Sequence, residues 1–173
     1  NRKVIYTNMI FIGNYKEWIK DEYIEFMSNN DGTSRPGGGP NPDSEEFKIA
    51  TSAGYDLTST YWYIYEPHTF PFEIEIPFDS HLDNVWWGIK MNPGNFMPMH
   101  TDPHTHKFKN CKRYWIAMQD YIPGHIFQYK DDMLTNYKKG DIFQYPDANE
   151  IHGACNISYS KRLTFHFSTY ERD

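Results

Sequence analysis

The sequence predicts a mainly β protein, a double-stranded β-helix (jelly roll) preceded by an N-terminal helical segment. Three observations predict this fold. Eight short strand-like segments follow one another over residues 84–170, with no helical pattern among them. Turn sequences such as Asn92-Pro93-Gly94 separate the segments. Aromatic residues make up 18% of the chain, which favours strands and large side-chain pockets.

The N-terminal part, residues 1–83, is expected to support this core with a helix, a loop and extra strands. Residues 3–12 (KVIYTNMIFI) are typical of an opening strand. Asn14, with Glu17 three positions later, predicts the start of a helix that packs on an outer face of the sheet. The apolar residues of this helix recur at helical steps: Tyr15, Trp18, Ile19, Tyr23, Phe26 and Met27.

Residues 29–44 (NNDGTSRPGGGPNPDS) are predicted to form a loop, because glycine, proline and small polar residues dominate them. A long loop in a small domain is typical either of a lid over an active site or of a disordered segment, and both interpretations stay open. Two further strands are then predicted, at 60–65 (TYWYIY) and 72–78 (FEIEIPF).

The core segments match the eight strands that a double-sheet jelly roll requires. They are residues 85–91, 96–102, 112–120, 125–130, 133–137, 141–146, 152–158 and 162–170. At 173 residues the chain is long enough to bury one full core, so residues 1–173 are expected to form a single domain.

Composition excludes some classes of function. The formal net charge is −6 and no run of like charge stands out, so a nucleic-acid partner is not expected. No apolar stretch approaches the length of a membrane span and no signal-peptide pattern is present, so a cytoplasmic location is the default expectation. Cys111 and Cys155 have no metal-binding or redox spacing; a disulfide stays open, and two thiols are the simpler expectation.

The most informative motif is His100-Thr101-Asp102, followed by His152 and Arg162. One intervening residue puts His100 and Asp102 on the same strand face. His152 opens the seventh segment and Arg162 the eighth, so a jelly roll can bring all four to one open end. Two imidazoles and a carboxylate form the facial ligand set of non-haem Fe(II) oxygenases. An arginine after the last ligand suits the far carboxylate of a metal-bound dicarboxylic co-substrate.

A second His-x-Asp sequence, His81-Leu82-Asp83, competes with this motif. The later histidines that would complete it, His125 and His166, have no arginine at the matching spacing. The set containing His100 is therefore preferred. His104 and His106 follow closely after it and are expected to be loop residues near the substrate entrance.

The motif resembles the pattern of the Fe(II)/2-oxoglutarate-dependent oxygenase superfamily, across about residues 84–170. That family has a jelly roll with His-x-Asp on strand two, a histidine on strand seven and a basic residue opening strand eight. Arg162-Leu163-Thr164 is similar to its Arg-x-Ser/Thr, and residues 138–143 (KKGDIF) resemble its turn into strand six. The compact barrel is reminiscent of the aspartyl/asparaginyl and prolyl hydroxylase branches, although the prolyl branch usually has lysine in place of arginine.

The resemblance implies an enzyme that uses Fe(II), 2-oxoglutarate and O2 to hydroxylate an unactivated C–H of an amino-acid or peptidyl substrate, releasing succinate and CO2. It implies that His100, Asp102 and His152 are the catalytic metal ligands. Arg162 would bind the far carboxylate of 2-oxoglutarate, with the Thr164 hydroxyl beside it. The oligomeric state is not predicted.

Several other residues are candidate neighbours of the site. Tyr114 and Trp115 are both candidates for contact with 2-oxoglutarate, although adjacent strand residues face opposite sides and only one of them can line the interior. His166 shares a face with Arg162 and is either a core histidine or a neighbour of the site. Four further residues are either a substrate-pocket wall or aromatic core: Trp86, Trp87, Met97 and Met99.

Two other functions stay open. One is a metal-dependent cupin enzyme that does not use 2-oxoglutarate, which has no need of the Arg-x-Thr sequence. The other is a non-enzymatic jelly-roll binding module, such as a lectin-like or capsid-associated domain, which would bind its ligand without iron.

Overall fold

The computed structural model describes residues 8–36, 48, 52, 61–77, 82–102, 109–145 and 150–171. Within these ranges lie eleven strands and the α-helix α1 at Asp21–Asn29, preceded by a 3-10 turn at Lys16–Trp18; residues 48 and 52 are also helical. The strands are β1 Ile10–Asn14, β2 Thr33–Pro36, β3 Tyr61–Tyr65, β4 Asp83–Met91, β5 Phe96–His100, β6 Lys109–Ala117, β7 His125–Tyr129, β8 Asp132–Met133, β9 Asp141–Tyr145, β10 His152–Asn156 and β11 Arg162–Glu171.

Strands β4 to β11 form the predicted jelly roll. The large sheet has the order β1-β9-β6-β11-β4-β3-β2 and the small sheet the order β5-β10-β7-β8. All pairs are antiparallel. Except for β7 and β8, consecutive strands of the barrel alternate between the sheets, so the chain winds around a shared interior as in a double-stranded β-helix.

The N-terminal part extends the large sheet at both edges. β1 pairs with β9, while β3 pairs with β4 and β2 pairs with β3. The prediction of a loop over residues 29–44 is therefore wrong at Thr33–Pro36, where pairing with β3 outweighs a polar composition unfavourable to strands. Residues 37–44 lie outside the described residues, so the lid interpretation of this segment stays a prediction.

The helix begins later than predicted. Asn14 ends β1: its side-chain amide donates to Asp141 Oδ1 at 2.8 Å and to the Lys139 carbonyl oxygen at 2.9 Å, and its Oδ1 accepts from Lys16 N–H at 3.2 Å at the start of the 3-10 turn rather than of α1. α1 starts at Asp21, and its N-cap residue Lys20 makes no side-chain cap. The apolar stripe itself is confirmed, since Tyr23 and Met27 are buried against the sheet.

Three strand predictions differ in extent. Residues 72–77 form no strand, although an alternating pattern predicts one. The segment 133–137 contributes only the last residue of the two-residue strand β8. β5 ends at His100, so Asp102 lies just beyond the strand rather than on it.

Two hydrophobic clusters lie on the two faces of the large sheet. The outer cluster packs α1 against the sheet and includes Tyr23, Met27 and Phe165. The inner cluster fills the space between the sheets and includes Trp115 and Phe127. Full burial of one such side chain stabilises the fold by about 1.5–3 kcal/mol. The same inner space, at one end of the barrel, contains the predicted site residues.

Two expectations from composition concern covalent links and membranes. Cys111 and Cys155 are both free thiols, as the simpler expectation had it. Among the residues that the structure describes, no helix has the length and apolar character to cross a membrane.

Candidate metal centre

A β-bulge directs His100 into the barrel. His152 lies directly opposite His100 in the β5–β10 pair, but Ala154 lies opposite Met97, so β5 has one extra residue between these positions. Met97 and His100 can therefore both face the interior although they are three positions apart, which regular alternation forbids. Gly153 allows this bulge, because a Cβ there would lie 3.0 Å from the Met97 carbonyl oxygen and 2.9 Å from Met99 Sδ.

His100, Asp102 and His152 form a compact group of potential metal ligands. One ligand atom from each lies within 4.8 Å of the others. Asp102 Oδ2 is 3.1 Å from His152 Nε2, and Asp102 Oδ1 is 3.6 Å from His100 Nε2. The two imidazole centroids are 4.5 Å apart. The structure thus brings together the three ligands that the motif predicted.

Backbone carbonyls orient both imidazoles. His100 Nδ1 lies 2.7 Å from the Pro98 carbonyl oxygen, and His152 Nδ1 lies 2.9 Å from that of Glu150. A carbonyl only accepts, so each Nδ1 donates its proton to the backbone and each Nε2 is left facing the interior. Such outer contacts fix the tautomer and ring direction of metal-binding histidines. Both Nε2 atoms point towards Asp102.

Asp102 is held as a carboxylate. Arg113 Nη1 donates to Asp102 Oδ2 in an ion pair between largely buried groups. Burial alone would raise the pKa of Asp102, but the hydrogen bond with His152 and the charge of Arg113 outweigh burial and lower the pKa to about 2. The third ligand is therefore ionised at any ordinary pH. Two imidazoles and one carboxylate, with a cavity beside them, suit a divalent first-row metal such as Fe(II).

A cavity of about 520 Å³ extends from the three ligands into the barrel. This volume is in the range of small-molecule sites. The small sheet and the residues after β5 supply its metal-ligating end, and the large sheet supplies polar groups that include Arg113, Arg162 and His166. The remaining wall is mainly aromatic or apolar and includes Trp62, Trp87, Met97, Phe127 and Tyr145.

Arg162 is buried in this cavity without a carboxylate partner among the described residues. The residue is 1% exposed, its Nη1 donates to Met91 Sδ at 3.3 Å, and the Tyr137 hydroxyl is a further hydrogen-bonding neighbour of the guanidinium. Nε and Nη2 have no hydrogen-bond partner within the described ranges. Burial lowers the pKa of Arg162, an effect that Tyr137 opposes. Because a buried charge without an anion is costly, the guanidinium is suited to an anionic ligand.

Thr164 and His166 lie next to Arg162 on the inner face of β11. Thr164 Oγ1 is 3.2 Å from His166 Nε2. The imidazole of His166 stacks on Trp87, with centroids 5.4 Å apart. Burial, together with the positive charge of Arg162, keeps the pKa of His166 well below its ordinary value, so this residue is a neutral neighbour of the cavity.

The structure separates the other candidates. Trp115 is on the inner face, with the Arg162 guanidinium 5.9 Å from its ring centroid. Tyr114 belongs to the outer cluster, which removes it from the cofactor-binding candidates, and Trp86 packs in the same outer cluster although the residue also borders the cavity. Met99 is 40% exposed. Trp87 and Met97 line the cavity.

The competing motif, His81-Leu82-Asp83, is not part of a group of potential metal ligands among the described residues. Asp83 opens β4 and pairs with Tyr170, at the far end of β11 from Arg162. His81, His104 and His106 lie outside the described residues.

Sequence reasoning missed three residues of the cavity wall. Arg35, Trp62 and Glu66 line it from β2 and from the end of β3. Arg35 lies in the segment predicted to be a loop, and nothing in its neighbours indicates a strand. A weaker signal existed for the others, since Trp62, Ile64 and Glu66 recur at every second position of a predicted strand.

Comparison with known proteins finds similar folds without close relatives. No protein-family profile and no curated protein matches the sequence. Among solved structures, a cupin domain of an XRE-family transcriptional regulator from Enterobacter cloacae is 14% identical, covering 64% of this chain and 98% of that one, with a TM-score of 0.45. The polyketide cyclase RemF from Streptomyces resistomycificus is 13% identical, covering 64% and 66%, with a TM-score of 0.41. A cupin domain protein from Bordetella pertussis is 14% identical, covering 53% and 85%, with a TM-score of 0.37.

These similarities concern the barrel architecture. Their low identities and TM-scores give no information about the reaction of this chain.

Proposed function

We propose that this protein is an Fe(II)- and 2-oxoglutarate-dependent oxygenase that hydroxylates a C–H of an amino-acid or peptidyl substrate. One oxygen atom of O2 goes to the substrate carbon, giving an alcohol. The other goes to succinate, which forms as 2-oxoglutarate loses CO2. The reaction would take place in the cavity between the candidate metal ligands and Arg162.

One observation carries the proposal. A single cavity joins a two-histidine, one-carboxylate set to a buried arginine with two unpartnered nitrogens. A dicarboxylate has one end for a metal and one for a guanidinium, so 2-oxoglutarate suits both ends. A metal enzyme without a dicarboxylic co-substrate would have no use for an unpaired charge buried at this place.

Each residue has a distinct role in this proposal. His100, Asp102 and His152 hold Fe(II), which supplies O2 activation when bound. Arg162 binds the far carboxylate through Nε and Nη2, a fork that matches a carboxylate. Neutral His166 adds no competing charge. The aromatic wall excludes water, which strengthens the charge pairing inside the cavity.

The first test is anaerobic titration of Fe(II) and 2-oxoglutarate, followed by the weak visible metal-to-ligand charge-transfer band. We expect the band in the wild type. In Arg162→Met, we expect 2-oxoglutarate to bind about 10- to 150-fold more weakly, since a hydrogen bond to a charged group is lost. Lys161→Met is the matched control, because Lys161 is adjacent in the chain and exposed.

The other outcomes separate the alternatives. Fe(II) binding without a band at any 2-oxoglutarate concentration would favour a cupin enzyme that uses another co-substrate. Absence of Fe(II) binding, together with retained ligand binding in His100→Ala, would favour a non-enzymatic binding module. Charge-transfer bands that appear at the same 2-oxoglutarate concentration in Arg162→Met and Lys161→Met would show that Arg162 does not bind the co-substrate.

A further inference from the structure

We propose that the Arg35–Glu66 pair at the cavity wall recognises the α-carboxylate and α-ammonium groups of a free α-amino acid with an apolar side chain. This inference rests on the proposed function for the reaction that follows binding. The binding itself depends on the cavity wall, where β2 and the end of β3 supply the charged pair and β3, β4 and β5 supply apolar surface.

The β2–β3 extension presents one continuous face to the cavity. Trp62, Ile64 and Glu66 line it from β3 and its end, because they alternate along the chain. Arg35 lies directly opposite Trp62 in the β2–β3 pair, and it lines the cavity too. The same cavity contains His100 and Asp102, so a molecule held at this face shares the space of the candidate metal centre.

The two charges are close but weakly engaged. Arg35 Nη2 is 3.9 Å from Glu66 Oε2, beyond hydrogen-bond distance. The two side chains are 48% and 34% exposed. A pair of this kind contributes little to the stability of a fold. Both groups therefore keep donors and acceptors for a ligand, and opening the pair costs little.

Two adjacent opposite charges select a zwitterion. An α-amino acid carries a carboxylate and an ammonium group on one carbon, so its carboxylate can pair with Arg35 while its ammonium pairs with Glu66. Glu66 repels a simple anion that approaches Arg35, and Arg35 repels a simple cation that approaches Glu66. An internal peptide residue carries neither charge and gains nothing from this pair.

The wall around the pair indicates the type of side chain. Trp62, Val85, Trp87 and Met97 line the same cavity and offer apolar surface. The charged groups inside the cavity are committed: Arg113 pairs with Asp102, and Arg162 is assigned to the co-substrate. An apolar side chain therefore fits the remaining surface best.

The experiment measures binding by calorimetry under anaerobic conditions, with Fe(II) present and with or without 2-oxoglutarate. The ligands are the apolar standard amino acids, each also as its N-acetyl derivative and as its carboxamide. We expect at least one free amino acid to bind, and both modified forms to bind about tenfold or more weakly.

Variants of the pair assign each group. In Arg35→Met, the free acid and the carboxamide should bind equally, because the partner of the carboxylate is gone. In Glu66→Gln, the free amine and its N-acetyl form should become equal. The matched control is Lys20→Met with Glu22→Gln, which removes another exposed pair, with a 3.7 Å separation, on the helix side of the molecule.

The outcomes for this inference and for the proposed function are distinguishable. A charge-transfer band with 2-oxoglutarate, but no amino-acid binding or equal binding of free and blocked forms, overturns this inference and leaves the function intact. Binding of free amino acids that depends on Arg35, without any 2-oxoglutarate band, supports this inference and overturns the proposed co-substrate. Tighter binding of the blocked forms would indicate a peptidyl substrate and overturn recognition of a free amino acid.

Discussion

At the scale of a single residue, Arg162 has the surroundings of an arginine that binds a ligand rather than of one that stabilises the fold. A structural arginine is normally paired, whereas this one is buried with Nε and Nη2 unpartnered among the described residues. The fold therefore keeps a destabilising charge at this place. Retaining such a charge is expected where a ligand neutralises it.

We expect Arg162→Met to stabilise the ligand-free protein while it weakens co-substrate binding. Replacing a buried ionic group with an apolar one of similar volume is often stabilising, by about 1–4 kcal/mol. The measurement is urea denaturation of the metal-free protein, compared with Lys161→Met. A loss of several kcal/mol in Arg162→Met would instead show that the guanidinium is a structural element of the core.

His166 gives the fold a pH dependence. Its pKa is well below the 6.5 of an unperturbed histidine because it is buried and near Arg162. The unfolded chain therefore takes up a proton near pH 6.5 that the folded chain does not. Stability from this residue is complete above that pH and falls as the pH decreases, by at most about 1.4 kcal/mol per pH unit.

We expect His166→Gln to flatten the decline in unfolding free energy between pH 6.5 and 5, and an equal substitution of exposed His68 to leave it unchanged. Some decline should persist, because burial also lowers the pKa of His125. Denaturant titrations at several pH values give the slopes. A wild-type slope preserved in His166→Gln would contradict the assignment of a neutral buried imidazole.

At the scale of elements, the bulge in β5 controls the metal centre. It turns His100 inwards next to Met97, and it needs the absence of a side chain at Gly153. We expect Gly153→Ala to destabilise the protein by about 1–3 kcal/mol through overpacking, and to weaken Fe(II) binding as well. The test compares unfolding and metal titration, with Ala154→Gly as a neighbouring control. Unchanged Fe(II) affinity would show that the bulge does not position the ligands.

Regular alternation explains which elements were predictable. The eight barrel strands and the four motif residues follow from local pattern and order along the chain. Three features depend on distant contacts instead: the delayed start of α1, the strand at Thr33–Pro36 and the bulge at Met97–His100. Asn14 is engaged by Asp141, far along the chain, and no local pattern reveals that bond.

The same reasoning applies to the site. The group formed by the candidate metal ligands was predictable because their residue types and spacing are typical of a metal site. The sequence could not show that Trp115, rather than Tyr114, faces the interior. Either set of alternating residues in a strand can face the interior until the pairing of that strand is known. Arg35 and Glu66 were missed because the edge strand that positions Arg35 was not predicted.

At the scale of the whole molecule, the metal centre is coupled to global stability. The ligands come from the end of β5, the residues after it and the start of β10, so they are brought together only when the small sheet is paired. We expect Fe(II) at one hundred times its dissociation constant to stabilise the fold by about 2.7 kcal/mol. Anaerobic thermal unfolding tests this, with His152→Ala losing the effect and His68→Ala keeping it. A metal effect that persists in His152→Ala would place the binding elsewhere.

The division of the cavity between two sheets has one more consequence. The three candidate metal ligands lie on or just beyond strands of the small sheet, and the large sheet holds Arg162. A dicarboxylate bound between them would link the two sheets across the barrel, in addition to the Arg113–Asp102 ion pair and the hydrogen bond from Asn156 Nδ2 to the Met91 carbonyl oxygen. The two sheets should then separate less often at the open end of the barrel when the dicarboxylate is bound. Amide hydrogen exchange in β5 and β10 would slow on ligand binding, while α1, on the outer face, would exchange as before.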